Sequence, residues 1–179
     1  MPRYVMVVNR KKCIGCMACV VACSTENNVA EGHYRTKVVE TVEGMFPHLR
    51  MELRPELCNH CEEAPCVANC PTGASYRREE DGLVKINKKK CVGCKACIAA
   101  CPYDARFIDP RTGAAEKCTF CEHRIKDGKT PACVATCIGN SRIFGDLDDV
   151  NNEVSKILSE KHAEVLLKDA GTKPRVFYV

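Results

Sequence analysis

The stretch Cys91-Val92-Gly93-Cys94-Lys95-Ala96-Cys97-Ile98-Ala99-Ala100-Cys101-Pro102 spaces three cysteines at intervals of three and sets a fourth four residues on, directly before a proline. Residues 13–24, CIGCMACVVACS, agree with it at seven of twelve positions, including all four cysteines, the glycine and two alanines. Two looser copies, Cys58, Cys61, Cys66, Cys70 and Cys118, Cys121, Cys133, Cys137, share an opening C-x-x-C-E, a proline shortly ahead of the third cysteine and a closing C-V-A-x-C. The four groups alternate A-B-A-B, use all sixteen cysteines, and read as duplication of one supersecondary unit.

Sixteen cysteines in 179 residues is a density typical of a disulfide scaffold or a metal-loaded protein. The length allows one domain or two small ones and excludes a large self-contained enzyme. Hydrophobic residues make up 45% of the chain but aromatics only 6%, with no Trp, so something other than bulky side chains must fill the interior. The formal charge of +4 is mild, and acidic stretches such as Glu79-Glu80-Asp81 and residues 146–149 interleave with the basic ones, which argues against nucleic acid as a partner. The Asn87-Lys88-Lys89-Lys90 run reads as a solvated face. No window approaches the ~20 apolar residues needed to span a bilayer, and residues 1–8 lack the apolar stretch and cleavage site of a secretory leader. Neither an address nor an anchor is expected.

The connecting segments indicate an α+β chain. Residues 4–8, 37–42, 49–53 and 83–86 are β-branched or alternating runs bounded by Gly, Pro or Asp, the pattern of short strands. Within each group, the stretch running on to the fourth cysteine suits a short helix. From Asp148 or Asp149, with an Asp as N-cap, Val150, Val154, Ile157 and Leu158 recur at helical spacing through about residue 162, and residues 175–179 read as a closing strand. Both are expected to serve packing.

Three chemistries compete for the cysteines. Disulfides give no reason for an unbroken three-plus-one pattern with thiols side by side on one turn. Structural zinc takes two ligands from each of two separated knuckles, not three at positions 0, 3 and 6 with a fourth behind. The spacing C-x2-C-x2-C-x3-C-P is instead that of bacterial ferredoxins, in which three cysteines ligate one [4Fe–4S] cluster and the fourth ligates its neighbour. Residues 91–102 fit in full, and residues 58–71 fit with a wider gap before the third cysteine. Four ligands per cluster give four [4Fe–4S] clusters.

Ligand sharing follows from the crossing rule. Residues 58–102 have the size and order of a whole two-cluster ferredoxin, so Cys58, Cys61 and Cys66 take Cys101, while Cys91, Cys94 and Cys97 take Cys70. The outer groups are left to each other: Cys13, Cys16 and Cys19 with Cys137, and Cys118, Cys121 and Cys133 with Cys23. The fold is then two ferredoxin-like units, one inserted in the other, the outer of residues 1–53 and 112–179 and the inner of residues 54–111. Pairing of group one with two and of three with four is not excluded by spacing.

Several details qualify the pattern. Ser24 and Ile138 replace the proline that follows the last cysteine in groups two and three. Between Cys121 and Cys133 runs a polar loop, residues 123–129, read as exposed and either partner-facing or simply solvated. His60 and His123 lie inside or beside C-x-x-C pairs, but histidine ligation of Rieske type needs paired C-x-H motifs that are missing, which leaves them structural roles or contacts around the ligands. Cys94 gives group three its full ligand set, which favours four-iron rather than three-iron clusters. There is no G-x-G-x-x-G after a strand, no P-loop, no G-x-S-x-G and no spare thiol, so no catalytic site is expected and the available chemistry is one-electron transfer. Sixteen thiolates and four oxidised cores would bring the loaded chain from +4 to about −4, and the clusters themselves would be its core.

The segments Cys58-Asn-His-Cys-Glu-Glu-Ala-Pro-Cys, Cys70-Pro-Thr-Gly-Ala, Cys91-Val-Gly-Cys with Ala100-Cys-Pro-Tyr, Lys117-Cys-Thr-Phe-Cys-Glu-His-Arg, Pro131-Ala-Cys-Val and Phe144-Gly-Asp-Leu carry a family resemblance over nearly the whole chain. The chain resembles the four-cluster iron–sulfur subunits of the molybdopterin oxidoreductase superfamily, above all those of polysulfide, thiosulfate, tetrathionate and arsenate respiratory reductases. The nested ligand arrangement of that family agrees with the one deduced above. The resemblance implies a catalytic partner with a molybdenum or tungsten bis-pterin site and often an integral membrane subunit that exchanges electrons with quinone. It also implies attachment to the membrane through partners, on the extracytoplasmic (periplasmic) face after export together with a signal-bearing partner, with a cytoplasmic complex as the alternative. A free-standing polyferredoxin and a zinc-loaded structural module are the competing expectations.

Overall fold

The computed structural model describes residues 2–179; Met1 lies outside the described residues. In chain order the strands are β1 (Tyr4–Val8), β2 (Thr36–Glu43), β3 (Arg50–Leu57), β4 (Ser75–Arg77), β5 (Val84–Ile86), β6 (Phe107–Ile108), β7 (Ala115–Glu116), β8 (Arg142–Asp146) and β9 (Val176–Tyr178). The helices are α1 (Ala18–Glu26), α2 (Pro65–Ala68), α3 (Ala96–Ala99), α4 (Glu122–Lys126), α5 (Ala132–Ala135) and α6 (Glu153–Glu160). Short strands and short helices joined by long loops make this an α+β chain.

The apolar run of β1 suits a strand covered on both faces. It is the centre of a three-stranded sheet, antiparallel to β8 (Val8 opposite Arg142) and parallel to β9 (Met6 opposite Val176). Val5 and Val7 turn to one side, where Val154, Ile157 and Leu158 of α6 cover them. Met6 and Val8 turn to the other, among Phe120, Tyr178, Cys19, Cys58, Cys118 and Cys133. The period-two alternation of a strand thus divides a conventional apolar core from a cysteine-lined one.

Three two-stranded antiparallel pairs complete the sheet structure: β2 with β3, β4 with β5, and β6 with β7. Helix α1, which carries Cys19 and Cys23, packs against α5, which carries Cys133; α2, with Cys66, packs against α3, with Cys97. Group one therefore meets group four, and group two meets group three.

The structure revises several boundaries. β3 runs on to Leu57, with Pro55 inside the strand. α6 starts at Glu153, capped by Asn152, whose side chain accepts from the Val154 amide at 3.3 Å. Asp149 instead accepts from the Asn151 amide at 2.9 Å, a local turn that competes with helix, so Val150 stays outside and exposed. Pro71 and Pro102 bar continuation beyond the last cysteine of groups two and three, whereas Ser24 leaves α1 free to run past Cys23 to Glu26. The segment 123–129 is not a free loop: its first half is α4, and His123 and Arg124 reach Glu26 of α1 at 2.7 and 2.8 Å.

Candidate metal centre

The C-x-G-C turns wrap because two residues in each adopt left-handed backbone. Gly93 (φ +67°) is followed by Lys95 (φ +63°), which precedes α3; Gly15 (φ +68°) is followed by Met17 (φ +57°), which precedes α1. At Gly93 the requirement is also steric, since a Cβ would lie 2.6 Å from the Gly113 carbonyl oxygen. The turn brings the first three cysteines of the group to the wall of one cavity, with the second of them, Cys16 or Cys94, exposed, and the short helix carries the chain away to the fourth.

All sixteen thiols are free. Cys70, Cys91, Cys94 and Cys97 line one cavity, with Thr72, Ser75, Ile86 and Arg106. Cys13, Cys16, Cys19 and Cys137 line another, with Val38, Pro55, Ser141 and Arg142. Each ring is three cysteines of one group and one of another. Cys58, Cys66 and Cys101 are the thiols that act on Cys61, and Cys133 and Cys121 those that act on Cys23. Among the described residues, no three Cys, His, Asp or Glu converge tightly enough to hold a single ion.

Burial makes uncompensated thiolates untenable here. It pushes Cys23 and Cys61 up to about 12 and Cys133 to about 11, with neighbouring thiols adding to the rise, and holds Cys118 well above its ordinary value. Nearer the surface the balance reverses at Cys70: burial still raises it, but the Ser75 amide and the Thr72 hydroxyl overcome that and lower it. Main-chain amides donate to Cys70 (Ser75, 3.3 Å), Cys91 (Ala115, 3.3 Å), Cys118 (Phe120, 3.3 Å) and Cys137 (Ser141, 3.2 Å). Such N–H···S bonds favour the anionic sulfur.

Three cations that cysteine spacing does not flag are buried in the same region: Lys117 at 1%, Arg142 at 2% and Arg106 at 4% exposure. Lys117 donates to the Cys118 carbonyl at 2.7 Å, Arg106 to Cys66 Sγ at 2.7 Å and Arg142 to Thr36 Oγ1 at 2.8 Å. The one sequence sign is that Arg106 and Arg142 each stand five residues after the last cysteine of groups three and four. His60 is fully buried, lies against Phe120 with the rings tilted and their centroids 4.1 Å apart, and accepts from the Val84 amide through Nδ1 at 3.2 Å.

These residues fit [4Fe–4S] clusters. The donor set is sulfur alone, four thiols ring each cavity, amides point at sulfur, and the buried cations suit anionic centres. A bound cluster supplies one-electron transfer; the chain's residues hold it, shield it from water and set its charge environment.

The chain matches the 4Fe-4S dicluster domain family over residues 49–147 and a second 4Fe-4S dicluster family over residues 12–74. It is 44% identical to a tetrathionate reductase subunit of Salmonella typhimurium, over 99% of this chain and 72% of that protein. It is 47% identical to a tetrathionate reductase subunit of Archaeoglobus fulgidus, over 99% and 82%. With the arsenate respiratory reductase iron–sulfur subunit of a Shewanella species it shares 37% identity over 99% and 96%. Cysteine-lined cavities, sulfur-directed amides and end-to-end relatives of this kind make the chain a member of the 4Fe-4S dicluster family, an iron–sulfur electron-transfer subunit of the respiratory-reductase type.

Proposed function

We propose that the chain carries four [4Fe–4S] clusters and relays electrons between a molybdopterin catalytic subunit and a quinone-linked membrane subunit. The ligand sets are Cys13, Cys16, Cys19 and Cys137; Cys23, Cys118, Cys121 and Cys133; Cys58, Cys61, Cys66 and Cys101; and Cys70, Cys91, Cys94 and Cys97. The observation that carries this reading is the pair of cavities, each lined by three cysteines of one group and the fourth of its partner group. The packing of α1 on α5 and of α2 on α3 supports the same nesting, outer residues 1–53 and 112–179 around inner residues 54–111. The names of the relatives support a multisubunit respiratory reductase as the setting.

No helix among the described residues is long and apolar enough to cross a membrane. We propose attachment through the membrane subunit, on the extracytoplasmic side, by export of the folded chain with its catalytic partner. Spheroplast fractionation checks this, and a complex retained in the cytoplasm overturns it.

Anaerobic purification with metal analysis tests the relay. About sixteen irons per chain, reduced-state EPR signals and co-purification of a molybdenum or tungsten protein are expected. Iron with no stable partner points to a free-standing polyferredoxin, and zinc in place of iron overturns the reading. Cys23→Ala should remove the same EPR component as Cys121→Ala. Loss instead of the component removed by Cys61→Ala refutes the nested ligand sets.

A further inference from the structure

Arg106 and Arg142 occupy corresponding places in the two cysteine repeats. Each lies five residues beyond a last cysteine, Cys101 and Cys137. Arg106 donates from Nη2 to Cys66 Sγ at 2.7 Å, and the same side chain lines the cavity of Cys70, Cys91, Cys94 and Cys97. Arg142 lines the cavity of Cys13, Cys16, Cys19 and Cys137, on β8, which packs against the α5 helix bearing Cys133. The thiols acting on Arg106 are those of Cys66, Cys58 and Cys97, and those acting on Arg142 are Cys133, Cys19 and Cys118. Arg106 thus touches Cys66 and lines the cavity that holds Cys97, while Arg142 lines the cavity that holds Cys19 from a strand packed on the helix that bears Cys133.

Neither arginine pairs with a carboxylate among the described residues, and Nε and Nη1 of both lack a hydrogen-bond partner. An unpaired buried guanidinium is costly, and arginine does not shed its proton to escape the cost. The compensating charge has to come from the thiolates and from what they hold.

We propose that Arg106 and Arg142 are potential-setting positioning residues, each holding a fixed positive charge between the two clusters of one ferredoxin-like unit and raising the reduction potential of both. The proposal rests on the ligand sets proposed above. Reduction adds one negative charge to a cluster, and a cation at short range in a water-poor interior stabilises that added charge. Because the charge is shared, it moves both potentials together and keeps the step between the two clusters shallow.

The test is a redox titration followed by EPR on the full chain, purified anaerobically with its accompanying subunits, after iron and labile sulfide have been measured. A wild-type chain without iron overturns the cluster reading itself, separately from this inference. In iron-replete protein, Arg106→Gln should lower two of the four potentials by at least tenfold in the one-electron equilibrium, about 59 mV, and leave two unmoved. Arg142→Gln should lower the other two. Arg106→Lys and Arg142→Lys should return the potentials towards wild type. Unmoved potentials in iron-replete Gln variants, a shift of all four by one substitution, or an equal shift in the Lys variants would each overturn the proposal. Where a Gln variant loses its iron, the Lys variant decides. Full iron with near-wild-type potentials supports the role of charge, and loss of iron there as well shows a role in shape only and refutes it.

Discussion

Glu116 ends β7 buried, with its carboxylate 3.0 Å from Arg35 Nη2 and 2.7 Å from Lys88 Nζ. Burial alone would raise its pKa; Arg35 and Lys88 outweigh that and hold it below the ordinary 4.5. A carboxylate depressed in the folded state contributes stability that is fully present above its ordinary value and is lost as pH falls from there through the lowered folded value. Thermal melts of the loaded chain should therefore begin to weaken below about pH 4.5, and Glu116→Gln should flatten part of that slope. An unchanged slope in the variant would remove Glu116 from the account. The run 87–90 is accordingly not purely a solvated face: Lys88, Lys89 and Lys90 are all exposed, but Lys88 also pairs with Glu116. At this scale the cysteines are legible because ligation fixes their spacing. Arg106, Arg142 and Lys117 are not, because whether a cation is buried without a carboxylate is decided by residues far away in the chain.

Helix α6 holds down one face of the sheet with Val154, and its start depends on Asn152. The cap side chain occupies the space above Gly145 of β8, where a Cβ would lie 2.0 Å from Asn152 Oδ1. Asn152→Ala should destabilise the protein by about 1 kcal/mol, seen as a lower midpoint in thermal melts with iron content unchanged; a midpoint that stays put would show that the cap is not what holds the helix. Elements themselves were largely readable: β1 and the short helices before each last cysteine lie where periodicity puts them. Their ends were less so. The start of α6 was lost to an Asx turn at Asp149, and α1 runs past its last cysteine where Ser24 replaces proline, although α5, followed by Ile138, still ends at Ala135.

Across the whole molecule, the apolar interior divides between a small valine-rich layer under α6 and two clusters built around cysteine. Met6, Val8 and Phe120 pack with Cys19, Cys58, Cys118 and Cys133, while Val84 and Ala115 pack with Cys66 and Cys97. Without iron these cysteines pack around cavities rather than around clusters, so little remains to offset chain entropy. The iron-free chain should show no cooperative unfolding by circular dichroism, and native-like cooperative melting after iron removal would contradict this. Helix α1 packs on α5 and α2 on α3, but the sheet that ties these elements together was not legible, since no local pattern states that β1 takes β8 and β9 as neighbours.

That sheet joins distant stretches of sequence: Val8 pairs with Arg142 and Met6 with Val176, so β1 finds its neighbours only far along the chain. On the ligand sets proposed above, residues 58–102 hold every ligand of two clusters in one unbroken stretch, whereas the other two clusters close only when segments from both sides of that stretch come together.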